Sequence, residues 1–218
     1  MTVTAIHHGW RRAHRRLRGA GIMTVLVAAC ATAPTGEGPA GAFVTFTSYT
    51  VPVPEGGGWG VARDPSAEAV SFRRATPAPP TGSDVATTEV RVFKVPIPED
   101  AATLGEDALA DAFLEQEHRI MLEQGVARGL YRLGTVARGV ETIAGRRLHT
   151  MRYETETPGP GWMPRKGQSA LFLYFPPDYP ARRAFYGFLI VESWEKGNMY
   201  ASPDLRRIEP VIAGFAAR

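Results

Sequence analysis

Ala184-Phe185-Tyr186-Gly187-Phe188-Leu189-Ile190-Val191-Glu192-Ser193-Trp194 is the stretch that decides the fold. Read with the two-residue period of a strand, it puts Phe185, Leu189 and Val191 on one side. Tyr186, Phe188, Ile190 and Trp194 fall on the other. A strand that is apolar on both sides needs cover on both sides. The segment is therefore expected in the middle of a sheet, with helices or loops above and below.

Working outward, three strand candidates precede it: Tyr131–Ile143, Arg146–Thr155 and Ser169–Pro176. Four more open the folded part: Phe43–Val51, Gly60–Arg63, Ala69–Arg74 and Thr88–Val95. They are rich in β-branched and aromatic residues, and Pro/Gly clusters such as Pro54-Glu55-Gly56-Gly57-Gly58 and Pro77-Ala78-Pro79-Pro80 separate them. Between the two groups the spacing predicts a helix from about Glu106 to Gln124, with Leu109, Ala112, Phe113 and Ile120 on one stripe and Met121 at its edge. Glu106 and Asp107 suit its positive first turn, and Gly125 suits a C-terminal cap. A closing helix is expected after Ser202 and Pro203, with Leu205, Ile208, Ile212 and Phe215 on one side. Pro210 interrupts it, so a kink or two short pieces should result. The fold class is α+β: one domain over residues 43–218, an antiparallel sheet of about six to eight strands flanked by two main helices.

The chain has 218 residues and a formal net charge of +3, but the excess of cations sits at one end. Residues 1–29 hold five arginines (Arg11, Arg12, Arg15, Arg16 and Arg18) and no acid. Subtracting those five from the 25 basic residues leaves 20 against 22 acidic. A nucleic-acid partner is not expected, since it would need the basic charge on the folded domain.

The arginine-rich start is followed by the uncharged apolar run Ala20–Ala29. Ten residues make about 15 Å of helix, half of a roughly 30 Å hydrocarbon core, which is a signal-peptide core and too short to span. The run ends in Val27-Ala28-Ala29-Cys30, which resembles the lipobox of bacterial lipoproteins. The resemblance implies a signal peptide over 1–29, lipid on the Cys30 sulfur, cleavage before it and acylation of the new amino end. Cleavage without lipid is the plainer alternative. Cys30 is the sole cysteine, so the domain holds no internal disulfide and relies on its core. Residues 30–42, small and rich in Pro and Gly, form a tether. Ala31 after the cysteine, by the same resemblance, favours the periplasmic face of the outer membrane.

The order of elements is similar to that of PsbP/DcrB-like domains. The stretches that carry the resemblance are Tyr49–Val61 with its Gly-rich turn and Trp59, Gly145-Arg146-Arg147-Leu148, Leu173-Tyr174-Phe175-Pro176 and the Ile208–Phe215 helix. It covers roughly residues 43–217 and implies an antiparallel sheet sandwiched by helices. The matching positions are turns and core residues, so the resemblance implies no catalytic residue and no particular function.

Reactive constellations are few. His118 and His149 are the histidines beyond the signal segment, and neither has a second histidine at i+4, so no metal site is expected. His149 shares a strand face with Met151 and Tyr153, as either a packing histidine or a proton carrier. His118, beside Glu115 and Glu117, reads as part of a solvated helix face. There is no G-x-S-x-G elbow, and the Gly56–Gly60 run matches neither phosphate-binding pattern; no catalytic residue and no cofactor are assigned. Glu154 and Glu156 share one side of a strand, as a solubilising pair or an acid–base pair. The segment Thr157–Gln168 reads as a long loop carrying Trp162, Met163, Arg165 and Lys166 among prolines. Tryptophan and arginine are frequent interface anchors, so these four form a candidate partner-binding loop. The alternative is that Trp162 folds back over an open sheet edge.

These readings converge on a lipid-anchored cell-envelope protein, a binding or scaffolding module whose partners are the membrane, through Cys30, and an envelope protein. Two alternatives stand: an envelope hydrolase using His149 with a carboxylate in hydrogen-bond reach, and a carrier of a small apolar ligand.

Overall fold

The computed structural model describes residues 41–77, 85–158, 165–195 and 204–218. The expectations for the signal segment, Cys30 and most of the tether lie outside the described residues. Seven antiparallel strands form the main sheet: β3 (Gly60–Asp64), β4 (Ala69–Pro77), β5 (Val85–Pro96), β6 (Arg132–Ile143), β7 (Arg146–Thr157), β8 (Arg165–Tyr174) and β9 (Ala184–Glu195). Their spatial order is β3-β4-β5-β9-β8-β7-β6, which puts β9 in the centre. A second, three-stranded sheet joins β1 (Phe43–Thr45), β2 (Tyr49–Pro52) and β10 (Ala216–Ala217). The fold is the expected α+β sandwich.

Both faces of β9 are covered. Phe185, Leu189 and Val191 pack under helix α1 (Glu106–Ile120) with Phe93, Leu109, Phe113 and Met151. Gly187 leaves a gap on that face, and the Phe93 ring fills it: a Cβ at Gly187 would meet the ring at 2.2 Å. The cross-strand partners here are Phe93 and Gly187 themselves. On the other face Tyr186, Phe188 and Ile190 pack against Tyr49 and Val51 of the small sheet, Val211 and Ile212 of the C-terminal helix, and Phe215 just after it. Trp194, read onto the same face, has a side chain outside the described residues. Burying one phenylalanine this way contributes roughly 1.5–3 kcal/mol, so the doubly apolar strand is a large share of what holds the domain.

Several local expectations change. Residues 43–52 are a hairpin rather than one strand, because Phe46 N–H bonds the Tyr49 carbonyl at 2.8 Å and closes a tight turn. Helix α1 ends at Ile120 but does not stop at Gly125: a π-helical segment, Met121–Val126, continues it. Gly125 serves close approach instead of capping, since a Cβ there would lie 2.0 Å from the Tyr131 ring. A four-residue helix α2 (Tyr179–Arg182) leads into β9. At the C-terminus a 3-10 turn, Leu205–Ile208, precedes α3 (Glu209–Gly214), and Pro210 sits in the first turn of α3 where its missing N–H costs nothing. This is the expected pair of short pieces. Ser202 and Pro203 lie outside the described residues; the cap observed is Asp204, whose side chain accepts from Arg206 N–H at 3.2 Å. Arg146 fastens the end of the chain: its Nη2 donates to the Phe215 carbonyl at 2.6 Å, with the guanidinium 5.1 Å over the Tyr174 ring. Among the described residues no helix is long and apolar enough to cross a membrane.

Candidate functional site

Strand geometry sends Arg147 and His149, two residues apart on β7, to the same side of the sheet. Helix α1 starts over them with Glu106 and Asp107 in its first turn, where unpaired backbone N–H groups favour acids. Arg147 forks between the two: Nη1 donates to Glu106 Oε1 at 2.6 Å and Nη2 to Asp107 Oδ1 at 2.8 Å. This hydrogen bond holds the Asp107 carboxyl below its usual pKa, and the two acids raise that of Arg147 in return. His149 lies beneath the fork, 4% exposed, with the Phe175 ring edge-on at 5.8 Å. Its Nε2 is 3.1 Å from Glu106 Oε1, 3.5 Å from Asp107 Oδ1 and 3.0 Å from Arg147 Nη1.

An imidazole nitrogen carries either a proton or a lone pair. Nε2 therefore donates to Glu106 or accepts from Arg147, never both at once. His149 is thus a buried residue with a carboxylate in hydrogen-bond reach, the geometry a proton carrier requires. The same contacts also tie β7 to the start of α1. Among the described residues no group of three or more His, Cys, Asp or Glu side chains is placed to hold a metal ion.

A second polar cluster lies toward the other end of α1. Glu117 does not belong to a solvated face; it is 5% exposed and turned toward the sheet. Burial pushes its carboxyl up to about 8, and the nearby charge of Arg91 on β5 offsets part of that rise. Arg91 is itself buried, 5.9 Å from the centre of the Phe93 ring. Burial lowers its pKa, while Glu89, Asp64 and Glu117 support its charge. Glu89 is pushed up by burial too, and is relieved by Arg73, Arg91 and the Ser71 hydroxyl. Tyr131 and Tyr153 border the cluster. Burial moves Tyr131 up to about 12 and Tyr153 further in the same direction, with Glu117 adding to both. The Tyr131 hydroxyl donates to the Met121 carbonyl at 3.1 Å, tying the π-helical segment to the approach of β6.

His118 is half-buried, with Nδ1 3.3 Å from Arg138 Nη2, and Arg138 also pairs with Glu115 at 3.0 Å. The Glu154/Glu156 pair is engaged at the strand ends: Gln168 Nε2 donates to Glu154 at 3.3 Å, and Glu156 stands opposite Lys166.

The candidate loop is shorter than expected. Arg165 and Lys166 lie in β8, where Arg165 faces Thr157 and Lys166 faces Glu156 across the β7 ladder. Cross-strand pairing of Lys166 with an acid extends both strands beyond Thr155 and Ser169. Trp162 and Met163 lie outside the described residues. Sequence reading singled out His149 but missed its partners and the Glu89–Arg91–Glu117 cluster. The usable signal for the first was the shared face of Arg147 and His149. No family model matches the chain, and no curated protein sequence matches it significantly.

Proposed function

We propose that this chain is a lipid-anchored cell-envelope protein that works by binding or scaffolding, held to the periplasmic face of the outer membrane through Cys30. The observation that carries the reading is the tetrapeptide Val27-Ala28-Ala29-Cys30 at the end of an uncharged apolar run. More than one acyl chain gives firm anchoring where a single chain is marginal. PsbP/DcrB-like ancestry belongs to the same proposal, and an antiparallel sheet covered on both faces supports it. A binding role is supported by the economy of the polar side chains: the fork of Arg147 joins helix to sheet, and His149 sits closed beneath it. The segment between β7 and β8, with Trp162 and Met163, is the proposed contact with an envelope protein.

The test is metabolic lipid labelling with Cys30→Ala beside the parent chain. Loss of label and accumulation of uncleaved precursor is the expected outcome; normal mature protein from the variant refutes the anchor. Crosslinking in intact cells then asks for a partner, and shortening residues 158–164 should abolish its capture. A second reading, an envelope hydrolase, is favoured by one distance, the 3.1 Å between His149 Nε2 and Glu106 Oε1. Hydrolysis of any ester or peptide probe that disappears in His149→Asn would move the assignment there.

A further inference from the structure

The main sheet ends in two unlike edges. β3 is five residues long, the short kind of edge that resists pairing with another chain. β6 has twelve residues, contains no proline or lysine, and is exposed over most of its length. β7 pairs with one side of it from Arg132 to Ile143. Among the described residues no backbone hydrogen bond outside that ladder involves β6. A bulge between Leu133 and Val136 breaks only its first part, leaving Val136–Ile143 as a regular edge.

We propose that two copies of the chain join through β6, antiparallel about a two-fold axis at Val140, so that the sheet runs on from one copy into the other. Symmetry selects the axis. A two-fold axis perpendicular to a continuous sheet keeps each residue on its own face, so facing residues differ by an even number of positions. An axis at Arg138 sets two guanidinium groups face to face, and one at Glu141 sets two carboxylates so; both are unfavourable. An axis at Gly139 sets Val140 against Arg138 of the other copy. Centred on Val140, the pairs are Val140 with itself, Gly139 with Glu141, Arg138 with Thr142, and Ala137 with Ile143. Each off-centre pair matches a shorter side chain with a longer one, and no like charges face each other. Val140 is 52% exposed in the single chain and becomes covered by its own copy. Neither charged residue of the segment gives up a partner, since Arg138 pairs with Glu115 on α1 and Glu141 with Arg152 on β7. Pairing through main-chain groups on an open edge is a recognised mode of association.

The register is tested by cysteine crosslinking of the full chain in membranes. On the axis, the two residues 140 stand roughly 4.5–5.5 Å apart at Cα, within disulfide range. Two residues 142 are displaced by four positions along the strands, about 14 Å, and cannot be bridged. Val140→Cys should give a reducible dimer under mild oxidation and Thr142→Cys should not, each measured above the unsubstituted chain, which controls for the Cys30 thiol. Equal crosslinking at both positions, or none at Val140→Cys, overturns the proposal. Val140→Lys, a change at an exposed site, should weaken self-association at least tenfold by sedimentation of the detergent-extracted protein; an unchanged dimer or a monomeric parent chain also overturns it. The proposal does not depend on the lipid anchor. In a Cys30→Ala background the crosslink should persist, so failure of the anchor and failure of the dimer are read separately.

Discussion

Helix α1 places acids near both of its ends, in opposite surroundings. Glu106 and Asp107 sit at the surface, facing Arg147, and the Asp107 carboxyl is held below its usual pKa by that hydrogen bond. Glu117, three turns along, faces inward, and burial raises its carboxyl to about 8 despite the charge of Arg91. Proximity of an arginine is common to both ends. What differs is water, which solvates the first pair and is withheld from the second. The surface end therefore contributes orientation at little cost, while the inner end is held in a state whose charge depends on pH.

The contrast breaks most severely at Arg91. Arg91→Met leaves Glu117 in low dielectric without its cation, and removing one partner of a buried charged pair costs about 3–5 kcal/mol where Glu117 is ionised. Urea unfolding at pH 10, where the Glu117 carboxyl is ionised in the parent, measures it, and adding Glu117→Leu should recover much of the loss. Glu117→Gln gives the next effect, in the other direction. A carboxyl that titrates near 8 when folded and near 4.5 when unfolded binds its proton more tightly in the native state. Its contribution is fully present below pH 4.5 and is lost as pH rises to about 8. Glu117→Gln should flatten that decline and gain on the order of 2 kcal/mol at pH 8.5. Parallel curves for both proteins between pH 5 and 8.5 would contradict the buried carboxyl. Arg147→Ala at the surface end should cause the smallest change. Melting temperatures taken at low salt and at 0.5 M salt should differ from the parent only at low salt, because exposed pairs are screened.

The same contrast explains what the sequence made legible. β9 was readable because both its faces are apolar over consecutive residues, a pattern that fits only a covered central strand. His149 was readable as a partly buried residue from Met151 and Tyr153 beside it. Its partners were not, because Glu106 stands 43 positions away and already had a local explanation in the helix dipole. Gln116 and Glu117 resisted reading for a related reason. Polar side chains count toward the solvated face of a helix, yet both are buried, so α1 is covered over a broader arc than its apolar stripe. The small sheet was hidden because β10 is only Ala216–Ala217 and the turn between β1 and β2 contains neither glycine nor proline.

That small sheet also governs when the domain can finish folding. β1 and β10 border β2 on opposite sides, and Ala217 pairs with Tyr49 across almost the whole described chain. Closing so long a loop carries an entropy cost that is met only when the intervening strands are already in place. The tilted rings of Tyr49 and Phe215 lie 5.4 Å apart, so the core on that face completes only when the last residues dock. A chain delivered from its amino end therefore waits for its final strand, and until then the Tyr49 side of the sheet stands open to whatever binds unfinished proteins.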